Sequence, residues 1–251
     1  MSKKIWIVGA SSGIGLELVK IWLKKGHSVI ASARLATTTS QLQELLLLFP
    51  KNLLLIDVDV SSLSSVQESS LKAWNAYGGL DVWFYNAGAY HVMDIHQWDV
   101  EKFEQMNDTN YMGVVRMMNT LLPYFIAQGH GKWMWNASLS SYFGLPLGGG
   151  YSAPKAALVN LAESIQPELL NSNIRLQVIN HGFVKTRLTA KNTFKMPQLM
   201  EPSETAERIA LEMDRNRSFE IHFPFALSAF LRLLQWLPYS LSLRLTRKMI
   251  P

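Results

Sequence analysis

The 251-residue chain contains no cysteine. Disulfides, zinc–thiolate sites and thiol nucleophiles are therefore excluded, and a reducing compartment is compatible with the sequence. No apolar stretch reaches the ~18–20 residues needed to cross a bilayer. Lys3 and Lys4 precede an apolar run, Ile5 to Val8, that Gly9 ends. That run is too short for a secretory core and reads as a buried first strand. The histidines show no metal-ligand spacing; His91 and His96 read as solvated loop residues. Repeats, low-complexity tracts and interdomain linkers are missing as well. Acids are missing from 225–251, which holds Arg232, Arg244, Arg247 and Lys248 and so carries +4 of the net charge of +5. The remaining body is near neutral, which excludes the broad basic face of a nucleic-acid binder. The expected location is the cytoplasm.

What is present is an alternation of short apolar runs with longer helical patterns. The runs at 4–8, 28–33, 53–57, 81–85, 132–137, 174–179 and 219–223 read as strands, several apolar on both faces. Helical patterns lie between them at 13–25, 39–49, 62–77, 99–127 and 152–171. This order predicts one α/β domain over 1–224, a parallel sheet covered by helices on both faces. The segment 183–217 breaks the rhythm and is expected to be a substrate lid within that domain.

Gly9-Ala10-Ser11-Ser12-Gly13-Ile14-Gly15 follows the first strand and opens the first helix. Glycines there permit a tight turn and a close main-chain approach to a pyrophosphate, which the helix N-terminus attracts. At the end of the second strand an acid would receive a free ribose 2′-hydroxyl. The chain has Ala33-Arg34 instead, with Ser32 and Ser11 nearby. A guanidinium matches a 2′-phosphate, so NADP(H) is expected over NAD(H). Asp59-Val60 ends the third strand and can meet an adenine amino group, with Asp57 as the competing carboxylate. Asn86-Ala87-Gly88 follows the fourth strand at the carboxyl edge, where ligands bind in such sheets; Asn86 can brace the strand ends, and Gly88 can admit a ribose.

Tyr151 and Lys155 are four apart and share a helix face. Ser138, at the end of Trp135-Asn136-Ala137-Ser138, can approach them from a strand end, with Ser140 and Ser141 as alternatives. A phenol titrates near ~10, and bringing it to ~7 takes about 4 kcal/mol. One positive charge at ~4 Å with an effective dielectric of ~20 supplies roughly that amount. Lys155 can be that charge, Tyr151 the proton donor or acceptor, and Ser138 the group that holds a carbonyl oxygen. Asn110 lies inside the long 99–127 pattern, where an amide can distort the helix and hold a water toward Lys155.

Together these motifs resemble the short-chain dehydrogenase/reductase family from residue 4 to about 190. The resemblance implies a Rossmann-type, doubly wound parallel sheet of seven strands in the order 3-2-1-4-5-6-7. It further implies a tetrad of Asn110, Ser138, Tyr151 and Lys155, with Lys155 on the nicotinamide ribose, and a homodimer or homotetramer formed through 99–127 and 152–171. Family members usually carry Pro-Gly after the sixth strand; here the order is Asn180-His181-Gly182-Phe183-Val184-Lys185-Thr186. Gly182, Val184 and Thr186 keep their places, so contact with the nicotinamide amide is expected to survive. Pro154, just before Lys155, requires a helix that starts near Tyr151 or bends there.

The expected function is NADP(H)-dependent interconversion of an apolar ketone or aldehyde and its alcohol. Tyr90, Tyr142, Phe143, Leu145, Phe183 and Phe194 are the expected pocket walls. A non-catalytic NADP(H)-binding regulator is the alternative, and an intact Ser/Tyr/Lys set opposes it. A sugar-nucleotide epimerase or dehydratase would need a longer chain. Residues 225–251 read as a basic amphipathic helical extension that covers the pocket or a partner subunit, contacts an anionic membrane surface, or stays loosely ordered.

Overall fold

The computed structural model describes residues 2–215 and 218–250; Met1, Asn216, Arg217 and Pro251 lie outside the described residues, among them the ends of the expected lid and tail. Seven parallel strands form one sheet: β1 (Lys4–Val8), β2 (Ser28–Ala33), β3 (Leu53–Asp57), β4 (Val82–Tyr85), β5 (Gly131–Asn136), β6 (Ile174–His181) and β7 (Glu220–Phe223). Their order is β3-β2-β1-β4-β5-β6-β7. The direction of winding reverses between β1 and β4, and that switch point opens a crevice at the carboxyl ends of the strands.

Successive strand residues face opposite sides, and the sequence supplies an apolar group to both. Ile5 and Ile7 of β1 pack beneath α1 (Gly13–Lys24), α2 (Ser40–Leu48) and α7 (Pro202–Arg215). Trp6 and Val8 face α3 (Leu63–Ala76), α5 (Gly113–Gln128) and α6 (Gly149–Leu170). On this second face Trp83 meets Trp133 edge-on at 5.2 Å and Trp135 at 5.9 Å. Not every tryptophan lies in the core: Trp98 is 58% and Trp236 82% exposed.

One expected element is redrawn. The single helix over 99–127 is α4 (Val100–Asn107), a π-helical turn at Asp108–Met112, then α5. Within the expected lid, the chain from Pro202 to Arg215 is helix. Thr205, Ala206, Ile209, Ala210 and Met213 of α7 are buried, and α7 packs against α1. The part that stands over the cleft is 183–201. Its base is pinched by a parallel bridge between Val184 and Met200, with Lys185 N donating to Met200 O and Met200 N to Phe183 O. The chain ends in α8 (Phe225–Trp236) and α9 (Tyr239–Arg247). No helix among the described residues is long and apolar enough to cross a membrane.

Candidate active site

A cleft of about 1550 Å³ lies along the carboxyl edge of the sheet, running from Arg34 and Asp59 at one end to Tyr151, His181 and Phe230 at the other. It is larger than the ~300–1,000 Å³ typical of a drug-sized ligand and suits a dinucleotide together with a second molecule.

The turn after β1 is held by Gly9 and Ala10, whose N–H groups both donate to Ser32 O. Gly9 has φ +91°, and a Cβ there would stand 2.5 Å from Ala87 N. Gly15 likewise admits no Cβ, because Gly9 O lies against it. These two glycines bring helix, turn and β4 end into contact. The Ser12 side chain does not cap α1. The first turn of α1 thus faces the cleft without a side-chain acceptor, the setting that receives an anion. Ser11, Ser12, Gly13 and Ile14 line that end, and Thr186 approaches Gly13 from the opposite wall.

Arg34 lines the cleft and is exposed. The Asp59 carboxyl is held below its usual range, first by the Ser61 hydroxyl and then by the Ser61 main chain and the charges of Arg34 and Arg116. Asp57 is committed elsewhere: it accepts from Thr37 N at 2.8 Å and Thr37 Oγ1 at 2.6 Å. Val60 lines the cleft beside Asp59, and its carbonyl accepts from Arg116.

Asn86 braces three strand ends. Its Nδ2 donates to Gly9 O at 2.8 Å and its Oδ1 accepts from Asn136 Nδ2 at 2.7 Å. With the amide occupied, the 86–88 turn offers a ligand mainly the main chain of Ala87 and Gly88. The Asn110 side chain is fully buried and pairs twice with the Ala89 peptide, accepting from N at 3.0 Å and donating to O at 2.9 Å. This pairing uses one donor and one acceptor of the amide. Its role in the structure is to tie the π-helical turn to the 86–89 turn. Tyr85, missed in the sequence, reinforces that turn by donating to Thr109 O at 2.6 Å, and Gly113 leaves room for the phenol.

Helix α6 begins two residues before Tyr151, so Pro154 falls in its second turn and forgoes one helical bond. Tyr151 and Lys155 then stand on one face. Lys155 is 4% exposed, donates to Asn136 O at 2.7 Å, and lies 5.6 Å from the Tyr151 ring centroid. The Ser138 hydroxyl is placed to favour the Tyr151 phenolate. Of the three serines weighed, Ser138 is therefore the one on the phenol. Tyr90 packs edge-on against Tyr151 at 5.2 Å.

Electrostatics in the ligand-free cleft differ from the simple charge argument. Burial pushes the Tyr151 phenol up to about 12, Ser138's hydrogen bond offsetting only part of this. Burial pushes Lys155 down to about 7. Desolvation dominates both shifts, so the phenol is protonated at neutral pH. His181 lines the cleft and pairs its Nδ1 with Gly182 O at 2.7 Å. Burial, assisted by the charge of Lys155, takes it down to about 4, so it is neutral under ordinary conditions.

The pocket walls are partly as expected: Tyr90, Leu145, Phe183 and Phe194 line the cleft, and Gly182 and Val184 lie on its floor. Tyr90 also ties the lid segment across it, its hydroxyl donating to Asn192 Oδ1 and its carbonyl accepting from Lys191 Nζ, each at 2.8 Å. Tyr142 and Phe143 instead pack with Leu139, Leu231 and Leu234 behind the wall. There Glu220 accepts from the Tyr142 hydroxyl, from Arg232 and, at 2.6 Å, from Asn180 Nδ2. Asn180 Oδ1 in turn accepts from Ser138 N at 3.2 Å and Ser141 Oγ at 3.2 Å. This chain of bonds orients the Ser138 segment, and it was not anticipated. The one available hint was that Glu220 is the last acid before a tail rich in cations.

Glu220→Gln replaces one acceptor oxygen with a donor facing donors. We expect kcat to fall about tenfold with the cofactor KM unchanged, read by steady-state kinetics; a proportional rise in cofactor KM would argue against a role centred on Ser138.

The short chain dehydrogenase family model matches residues 3–196. An uncharacterized oxidoreductase of Myxococcus xanthus is 31% identical over 234 residues, covering 92% of this chain and 91% of its own. Among solved structures, a short chain dehydrogenase from Burkholderia cenocepacia in complex with NADP superposes with a TM-score of 0.84 at 20% identity, covering 100% of this chain and 99% of that one. A 3-ketoacyl-(acyl-carrier-protein) reductase from Brucella melitensis complexed with NADH gives 0.80 at 21% identity, covering 90% and 98%. With its sheet order, its glycine turn and its Ser–Tyr–Lys cluster accounted for, the chain belongs to the short-chain dehydrogenase/reductase family.

Proposed function

We propose that the protein is an NADP(H)-dependent oxidoreductase that interconverts an apolar ketone or aldehyde with its alcohol. The observation that carries this reading is the joining of Ser138, Tyr151 and Lys155 at one end of a cleft whose other end is a glycine turn on an uncapped helix N-terminus. A dinucleotide bound along the cleft would supply or accept the hydride.

The protein's own groups would do the rest. Gly9, Gly13 and Gly15 admit the pyrophosphate to the first turn of α1, while Ser11, Ser12 and Ile14 surround it. Arg34 receives a 2′-phosphate, and Asp59 and Val60 border the adenine. Ala87, Gly88, Gly182, Val184 and Thr186 enclose the ribose and carboxamide, with Lys155 reaching the ribose hydroxyls. Ser138 holds the substrate oxygen beside the phenol, where developing negative charge is stabilised by a preset donor. Tyr151, protonated at neutral pH, gives its proton to that oxygen in reduction and takes one in oxidation. Asn110 serves by holding the turn over which the ring would lie. Residues 183–201 act as the lid, and Phe183 and Phe194, 6.0 Å apart, give its inner side an apolar surface. Trp98, Val100 and Ile126 remain exposed on and beside α4 and α5, consistent with pairing of copies through that side.

A panel of ketones, aldehydes and alcohols followed by nicotinamide absorbance with each cofactor tests the reading. Cofactor binding without turnover of any carbonyl would favour a regulator instead. For Arg34→Leu we expect the NADPH KM to rise by about 10–100-fold, the worth of a charge-assisted hydrogen-bond pair, with little change toward NADH. An equal effect on both cofactors would remove the argument for the 2′-phosphate.

A further inference from the structure

Helix α9 is oriented against the usual logic of a surface helix. Its buried residues are Ser242 and Thr246, and Ser242 Oγ donates to Leu234 O at 2.6 Å. Leu241, Leu243 and Leu245 are 45%, 58% and 39% exposed. In water a helix hides its leucines and shows its hydroxyls; here small polar groups seat the helix on α8 and the leucines are turned out. Trp236 at 82%, Tyr239 at 76% and Ile250 at 57% are exposed in the same stretch of chain. A concentration of exposed large apolar groups of this kind marks a surface that is covered in use.

The charges identify what covers it. Arg244, Arg247 and Lys248 are exposed among these leucines. No acid occurs after Glu220, and Glu220 is already bonded to Arg232, Tyr142 and Asn180. A second copy docked symmetrically on this face would set the same cations against each other with no carboxylate to answer them. An anionic lipid surface answers both features: aromatic and aliphatic side chains enter the headgroup boundary while the cations meet lipid phosphates.

We infer that α8 and α9 form a membrane-docking surface for anionic lipid. The surface is continuous with the cleft, since Leu227, Phe230 and Leu231 of α8 and Met249 and Ile250 after α9 also line it. Docking therefore places an apolar mouth of the cleft at the bilayer. In so far as the oxidoreductase reading holds, the substrates that enter there are carbonyl compounds or alcohols dissolved in lipid.

The test is flotation of the full chain with phosphatidylcholine vesicles that contain or lack phosphatidylglycerol. It requires no turnover, so a failure of the catalytic reading does not affect it. Binding is expected only with phosphatidylglycerol and is expected to weaken as salt rises. Arg244→Gln combined with Arg247→Gln should lower the partition coefficient about 25-fold, taking roughly fivefold per cation. Trp236→Ser combined with Leu243→Ser should lower it about tenfold or more. Retained NADPH binding in both variants, read by fluorescence titration, establishes that the fold is intact. Absence of flotation with phosphatidylglycerol vesicles overturns the inference, as does flotation that neither pair of substitutions reduces. A dimer that Trp236→Ser converts to monomer, in a protein that ignores vesicles, would assign the surface to a second copy.

Discussion

Tyr151→Phe is expected to lower turnover by about 10²–10⁴-fold while leaving the affinity for NADPH within a few-fold. The substitution deletes one hydroxyl and keeps the ring. The edge-on contact with Tyr90 at 5.2 Å and the Lys155 ammonium 5.6 Å from the ring centroid both depend on the ring, so the wall of the cleft should persist. What disappears is the proton donor beside Ser138. No neighbour can replace it: His181 is neutral, held down at about 4, and Lys155 points its ammonium at Asn136 O. Steady-state rates with a turned-over carbonyl and a fluorescence titration with NADPH give the two readouts. A variant keeping more than about a tenth of wild-type turnover would remove Tyr151 from the chemistry, since acid–base catalysis ordinarily contributes far more than that.

Lys155→Met is expected to separate activity from stability. Turnover should drop by a comparable ~10²–10⁴-fold, because the positive charge beside the phenol and the proposed ribose contact are both lost. Stability should move the other way. Burial lowers Lys155 from its usual 10.5 to about 7, so the unfolded chain binds this proton more tightly than the folded one. Below pH ~7 the folded state carries the full penalty, on the order of 4 kcal/mol. Between pH ~7 and ~10.5 the penalty shrinks as the folded protein sheds the proton first. Methionine of similar volume removes it, at the loss of one hydrogen bond worth about 1 kcal/mol. The variant should thus melt roughly 5–10 °C higher at pH 6, with the difference vanishing toward pH 10. Calorimetry across pH measures this. A melting temperature that falls at pH 6 would show that Lys155 is stabilised by its surroundings and not strained by them.

Much of the fold was legible because its signals are local. Every strand is a short apolar run, five of the seven ending at or next to glycine, asparagine or aspartate, and the helices between them keep a 3.6-residue pattern. The site was legible where its residues fall on one element or at its end: Tyr151 and Lys155 on one helix face, Ser138 at a strand end, the glycine turn between strand and helix. Reading failed where a side chain chooses between distant partners. The Asn110 amide pairs with the Ala89 peptide, 21 residues away, a partner its local sequence does not announce. Tyr142 turned from the pocket toward Glu220. The break between α4 and α5 has no periodic signature either, since it is anchored by contacts from the 85–89 segment.

By itself, then, the sequence determined the alternation of strand and helix, the glycine turn that opens the first helix, and the pairing of a phenol with an amine four residues on, all of which depend on spacing along the chain. Only the tertiary structure decided which carbonyl holds Lys155, how far burial moves the phenol and the amine, how Glu220 and Asn180 orient Ser138, and which face α9 turns outward. Those outcomes depend on desolvation and on hydrogen-bond partners tens of residues apart, and neither leaves a trace in local pattern.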